Sequence, residues 1–348
     1  MATYKAAQFT SYGGPDKIVI SDLPIPTADA PDSVLIKVHA ASLNPIDWKR
    51  AEGQLKMLVK ESFPLRTGYD VSGVVSSIGS GVTKFKVGDE VFGRIGQSEV
   101  GTVAEYVVST EEKLALKPKS LTHVQAAGVP LTGLTAYQVL DKSGFASKPS
   151  RKIFIPAGAG GIGVMAIQLA KHLFNAETIA TTVSEAKIDI VKDLGADVVV
   201  DYKKEDYTQV LKDYDMAIDT TGETKQQFAI LKPGGTLYSI AALPNSEEAN
   251  AVFPVGFFMG KVLDVLTYKL RWAANSKNID YHYLFMSPNG TQLAEIGNLA
   301  DQGKLKVLVD STFPFTLEGV REASAQISIA FARQKQGRAT GKVIIQVI

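Results

Sequence analysis

The stretch Lys152-Ile153-Phe154-Ile155-Pro156-Ala157-Gly158-Ala159-Gly160-Gly161-Ile162-Gly163 decides the fold. A short strand pattern enters a glycine-rich turn, and an amphipathic segment, Val164 to Phe174, leaves it. Gly158, Gly160 and Gly163 fit G-x-G-x-x-G, the turn that lays a pyrophosphate on the amino terminus of a helix. The first glycine is expected to permit the tight turn and the second to let backbone approach the phosphates. The third is expected to allow close helix–strand packing. A purely structural glycine turn is the competing reading. The segments that follow weigh against it: strand Thr178 to Val183, helix Glu185 to Leu194, strand Val198 to Asp201, then strands Met216 to Ile218 and Thr236 to Ile240. That alternation predicts an α/β domain, a doubly wound parallel sheet with covering helices.

Outward from this core the grammar changes. Residues 1 to about 125 carry short strand patterns such as Val34-Leu35-Ile36-Lys37-Val38. They are broken by Gly13-Gly14-Pro15, Pro24-Ile25-Pro26, Gly79-Ser80-Gly81 and Val87-Gly88-Asp89, a β-rich barrel-like or sandwich domain. Leu305 to Val309 and Lys342 to Ile345 read as strands that rejoin it. The division expected is 1–126 with 303–348 for the β-rich domain and 127–302 for the Rossmann domain.

Composition removes several functions. The 348 residues hold 37 Lys+Arg against 36 Asp+Glu, so the near-zero balance makes nucleic acid and anionic membrane poor candidates as partners. There is no cysteine, which excludes disulfides, thiolate nucleophiles and every cysteine-containing zinc site. His39, His123, His172 and His282 show no metal-ligand spacing. Met1 to Lys5 runs directly into a strand pattern, so no signal peptide is expected and the cytoplasm is the default. Val252 to Leu270, broken by Pro254, Lys261, Asp264 and Lys269, is not expected to span a bilayer but to line a cavity or an interface.

The second strand of the Rossmann pattern bears on the cofactor. NAD sites place an acid there to hold the ribose hydroxyl, whereas this strand ends Thr182-Val183-Ser184 before Glu185-Ala186-Lys187. Ser184 and Lys187 suit a 2′-phosphate, which favours NADPH. Glu185 is read either as a ribose ligand that would favour NADH or as a solvated first-turn acid. Tyr202 is read either as a partner of adenine or phosphate or as an ordinary strand-end tyrosine.

Several ordered segments then carry a resemblance. They are Asn44-Pro45-Ile46-Asp47, Gly68 to Val74, Val87 to Gly93, Ala104-Glu105-Tyr106, Gly133 to Tyr137, Leu231 to Gly235, and Arg338-Ala339-Thr340-Gly341-Lys342. Together with the glycine loop they resemble the medium-chain dehydrogenase/reductase superfamily, in its zinc-independent quinone oxidoreductase branch, which includes zeta-crystallin and the enone or alkenal reductases. The resemblance implies a GroES-like β-rich catalytic domain beside the Rossmann domain. Zinc-dependent relatives carry cysteine where Asn44 stands and histidine where Tyr69 stands. Carried over, Asn44, Asp47 and Thr135 would lie near the nicotinamide or its ribose, with helix or loop capping the competing reading for Asp47 and Thr135. Gly158, Gly160, Gly161, Ile162 and Gly163 would hold the pyrophosphate, and Ser184, Lys187 and Tyr202 the 2′-phosphate. Ala241, Ala242, Leu243 and Lys342 would approach the cofactor. Tyr69, Phe257 and Phe258 would contact substrate, with plain packing an equal reading for the two phenylalanines. The resemblance implies NADPH-dependent reduction of quinones or of the C=C bond of α,β-unsaturated carbonyls, on small-molecule substrates. No catalytic residue identifies itself beyond Tyr69 as a candidate, and a homodimer stays open. The alternative is an NADPH-binding protein with a structural or sensing role and little turnover.

Overall fold

The computed structural model describes residues 2–56, 60–96, 101–332 and 340–348. Met1, Arg338 and Ala339 lie outside the described residues. The chain falls into two compact units, Met1–Leu134 with Ser287–Ile348, and Thr135–Met286.

The second unit is a six-stranded parallel sheet. In spatial order its strands are Val198–Asp201, Thr178–Val183, Lys152–Ile155, Tyr214–Asp219, Leu231–Ser239 and Asp280–Tyr283. Numbered by sequence this is order 3-2-1-4-5-6, the doubly wound arrangement that places a ligand outside the carboxyl ends where the order reverses. Phe154, Ala180, Ala217, Phe228 and Leu237 form a buried cluster with Tyr207, Tyr214 and Tyr281. The helix Gly161–His172 starts three residues earlier than the periodicity suggests, because the glycines themselves make its first turn. The segment expected as one helix from Glu185 is a 3₁₀ turn, Glu185–Lys187, followed by an α-helix, Ile188–Asp193.

The first unit is built on a seven-stranded sheet. Its path runs Val309–Pro314, Lys342–Gln346, Ser33–Leu43, Asp70–Ile78, Glu90–Arg94 and Leu114–Leu116, with Tyr106–Thr110 also paired to Ser33–Leu43. A three-stranded sheet joins Ile18–Pro24, Thr3–Phe9 and Leu65–Arg66. Ser33–Leu43 is buried along nearly its whole length, as a central strand covered on both faces must be. The expected strand at Leu305 begins only at Val309. Leu305 and Val307 are buried without pairing, which is what their alternation reported.

The division differs from the expected one at both borders. The helix Gly290–Asp301 belongs with the β-rich unit because it packs on it closely: a Cβ on Gly290 would stand 2.1 Å from the Leu114 carbonyl oxygen. The other border falls inside the helix Pro130–Lys142, whose Leu131 N–H donates to Asp70 Oδ1 at 2.9 Å.

In the Rossmann unit one buried carboxylate organises the strand ends. Asp219 accepts from Gly222 N (2.7 Å), Thr221 N (3.2 Å), Thr224 Oγ1 (2.5 Å), Ser239 Oγ (2.9 Å) and Gln227 Nε2 (3.3 Å). Ser239 Oγ in turn accepts from the N–H groups of Ala241 and Ala242. Asp219→Ala should therefore orphan several buried donors and lower unfolding stability by about 3 kcal/mol or more. Denaturant unfolding measures this, and a loss below about 0.5 kcal/mol would show that the two loops are held by other contacts.

Candidate active site

At the carboxyl end of Lys152–Ile155 the chain turns through Ala157, whose φ of 53° is left-handed despite its side chain. Such a residue costs about 1–2 kcal/mol. The turn is held by Ala157 N–H to Thr182 Oγ1 (3.1 Å), Gly158 N–H to the Thr182 carbonyl (3.1 Å) and Gly160 N–H to the Ala157 carbonyl (2.8 Å). Gly158 is therefore not the residue that makes the tight turn. It is glycine because a Cβ would stand 2.1 Å from Thr181 Oγ1, while a Cβ on Gly163 would meet the Ala157 carbonyl oxygen at 2.4 Å. Gly160 differs: its Cβ would meet only the Ala157 oxygen, at 3.1 Å, so its outer side is open. The N–H groups of Gly161, Ile162 and Gly163 form the first helical turn and have no acceptor within the helix. An open backbone face in front of three such donors fits a pyrophosphate.

The neighbouring strand ends meet the same edge. Val183 pairs with Asp201, so Ser184 and Tyr202 follow side by side, and Tyr202 N–H donates to the Val183 carbonyl at 3.3 Å. Lys187 closes the 3₁₀ turn with its N–H on the Ser184 carbonyl at 2.8 Å. Glu185 is drawn to Lys204, Nζ to Oε1 2.8 Å, both side chains exposed. Ala241, Ala242 and Leu243 leave the end of Leu231–Ser239, with Leu243 exposed. Thr135 is buried in the helix Pro130–Lys142. Phe257 and Phe258 open the helix Phe257–Ser276 and are 74% and 85% exposed.

In the β-rich unit, Asn44, Asp47 and Lys342 come together around a residue that sequence reading did not single out, Asp70. Asp70 is fully buried and accepts from Ser42 Oγ (2.8 Å) and Asn44 Nδ2 (2.9 Å), with Lys342 Nζ 3.7 Å away. Lys342 Nζ also donates to the Leu43 carbonyl (3.2 Å) and to Asn44 Oδ1. Asp47 caps its helix, accepting from Asn44 N (2.7 Å) and Gly68 N (2.8 Å). Burial pushes the Asp47 carboxyl up to about 6 against those two hydrogen bonds, and burial lowers Lys342 against the attraction of Asp70 and Asp47. The partners shown for Asn44, Asp47 and Lys342 are thus largely one another. Asp70 escaped notice because an aspartate opening a strand looks solvated. Its only signal was the Gly68-Tyr69-Asp70 segment itself.

Tyr69 is 3% exposed, and among the described residues its hydroxyl has no hydrogen-bond partner. The Arg94 guanidinium lies 4.6 Å and that of Arg50 5.5 Å from its ring centroid. The rings of His39 and His123, far apart in sequence, lie 4.2 Å apart and tilted by 32°, and His123 bonds Ser72 and Glu90. Among the described residues no group of three His, Cys, Asp or Glu could hold a metal ion. The amide of Asn44 and the phenol of Tyr69 are poor zinc ligands, so the donor set does not fit zinc.

Residues 194–345 match a family model described as zinc-binding dehydrogenase, and residues 30–119 one described as alcohol dehydrogenase GroES-like domain. The chain is 36% identical to a 2-methylene-furan-3-one reductase of Solanum lycopersicum, over 99% of this chain and 79% of that protein. It is 34% identical to a chloroplastic NADPH-dependent alkenal/one oxidoreductase of Arabidopsis thaliana, over 99% and 80%. The solved quinone oxidoreductase of Coxiella burnetii superposes with a TM-score of 0.81 at 30% identity, covering 100% of both chains. With two matching domain models and these whole-chain likenesses, the chain belongs to the medium-chain dehydrogenase/reductase family, among the enone, alkenal and quinone oxidoreductases.

Proposed function

We propose that the chain is an NADPH-dependent reductase of quinones or of the C=C bond of α,β-unsaturated carbonyls, working without a catalytic zinc. The observation that carries the reading is the pair Asn44 and Tyr69. Where zinc-dependent members of the family hold the metal, this chain has an amide spent on Asp70 and Lys342 and a buried phenol. Lacking a Lewis acid to polarise a simple ketone or alcohol, such a site favours acceptors that bring their own electrophilicity by conjugation. The names of the tomato and Arabidopsis relatives support the same substrate class.

Bound NADPH supplies a hydride equivalent, which on an enone adds to the β-carbon and leaves negative charge at the carbonyl oxygen. The protein's part is position and charge. The open face of Gly160 and the N–H groups of Gly161, Ile162 and Gly163 take the pyrophosphate. Ser184, Lys187 and Tyr202 take the 2′-phosphate. The Glu185 carboxylate, which would repel it, is held by Lys204. The Tyr69 hydroxyl, which has no partner among the described residues, is the donor assigned to the acceptor's oxygen, since a buried hydroxyl gains most from such a partner.

Two measurements test this. With an enone and NADPH, mass spectrometry and NMR should find the saturated ketone with its carbonyl intact. An allylic alcohol as main product, or efficient ethanol oxidation, would overturn the substrate assignment. Lys187→Ala should weaken NADPH roughly ten- to a hundredfold by titration while leaving NADH nearly unchanged. Equal loss for both cofactors would remove Lys187 from the phosphate site.

A further inference from the structure

The helix Phe257–Ser276 is apolar on its outer side as well as its inner one. Placed at about 100° per residue, its exposed residues fall within an arc of roughly 180°. That arc holds Phe257, Phe258, Val262, Val265, Leu266, Tyr268 and Trp272, between 46% and 85% exposed. The inward arc is no more apolar: Gly260, Leu263, Thr267 and Ala274 are its buried residues. An outer face with seven large exposed apolar or aromatic side chains has a second neighbour to find. The exposed side chains amount to on the order of 900 Å², beyond the roughly 300–600 Å² of a usual largest surface patch.

Area alone would serve a second copy of the chain, since a stable dimer needs about 800 Å² from each partner. Charge decides between occupants. The exposed arc carries Lys261 and Lys269 and no acid. The helix's one acid, Asp264, sits at the arc's border with its Oδ1 accepting from Ser246 N at 2.9 Å, and Arg271 is turned to Glu248. In a two-fold pairing of this helix centred on Val265, Lys261 of one copy would face Lys269 of the other with no carboxylate between them. An anionic lipid surface has the opposite property. It offers phosphates to both ammonium groups, whose stems can snorkel, and a headgroup boundary that suits Phe, Tyr and Trp. Among the described residues no helix is long and apolar enough to cross a membrane, so such contact is from the surface.

We propose that the outer face of Phe257–Ser276 docks the protein on anionic membranes, with Lys261 and Lys269 at the headgroups and the apolar residues between them at the acyl boundary. A near-neutral overall charge does not oppose this, because Lys261 and Lys269 act locally on the arc. The proposal is independent of what the enzyme reduces.

Flotation of the full chain with vesicles of phosphatidylcholine, alone or with about one-third phosphatidylserine, tests it. The chain should float with the anionic vesicles at low salt and much less in high salt. Lys261→Gln and Lys269→Gln should each weaken binding about fivefold. Val265→Glu should reduce it more than tenfold while thermal melting and turnover of a water-soluble acceptor stay unchanged, its side chain being exposed. Equal flotation with both vesicle types, or flotation that Val265→Glu does not disturb, overturns the proposal. So does a wild-type dimer that Val265→Glu converts to monomer without any vesicle binding, which would give the face to a second copy.

Discussion

The buried pairing of Asp70 with Lys342 is the constraint on which the β-rich unit depends. Each ion loses several kcal/mol of hydration on burial, and only close neighbours of matching polarity return it. Here Ser42, Asn44 and the Leu131 N–H serve the carboxylate, while the Leu43 carbonyl and Asn44 Oδ1 serve the ammonium. Those groups come from the central strand Ser33–Leu43, its neighbours Asp70–Ile78 and Lys342–Gln346, and the start of Pro130–Lys142. Strand register, helix start and the Asn44–Asp47 cap are therefore set together. The register pairs Ser42↔Asp70 and Ile344↔Ser42 are the backbone side of the same bargain between charges.

Asp219 plays the corresponding part in the Rossmann unit, and the two hubs show what a carboxylate does when it is not a ligand. Both sit at strand ends, fully buried; Asp70 ties two neighbouring strands and a helix start, whereas Asp219 collects donors from the segments that follow its own strand and the next. The Ala157 turn works differently. Its left-handed backbone is sustained by bonds to Thr182, and the reward is a helix start whose first donors are left facing outward.

How much of this was legible in the sequence follows from range. Strands Thr178–Val183 and Val198–Asp201 are legible to the residue, because their signals lie within a few positions of one another. The three glycines are legible from their spacing, but the reason for Gly158 is not, since Thr181 lies 23 residues on and on another strand. Asn44, Asp47 and Lys342 stand in segments that point to a site, whereas the Asp70 beside Asn44 and Lys342 has no such local signal of its own. Nothing local distinguishes a buried carboxylate from a solvated one. The apolar character of the Phe257–Ser276 helix is legible in its sequence, yet which side faces out depends on what Leu263 and Thr267 pack against. A groove of about 300 Å³ runs along the border between its two sides, lined by Asn245, Asp264, Thr267 and Arg271 together with Tyr268 and Trp272 of the outer arc.

Lys342 reaches Asn44 across 298 residues, and this has a consequence for synthesis. Every strand of the Rossmann unit has been made by Tyr283, whereas Ala40–Leu43, paired on one side with Asp70–Ile78, still lacks the strand that pairs with its other edge. At roughly 5–20 residues per second, the ribosome needs several more seconds to deliver Lys342. Through that interval the nascent chain carries a finished nucleotide-binding half, an open sheet edge and a buried-type carboxylate without its cation. An unpaired edge of this kind is a template for another chain. The state most exposed to misassembly is thus a translation intermediate, with its weak point along Ala40–Leu43.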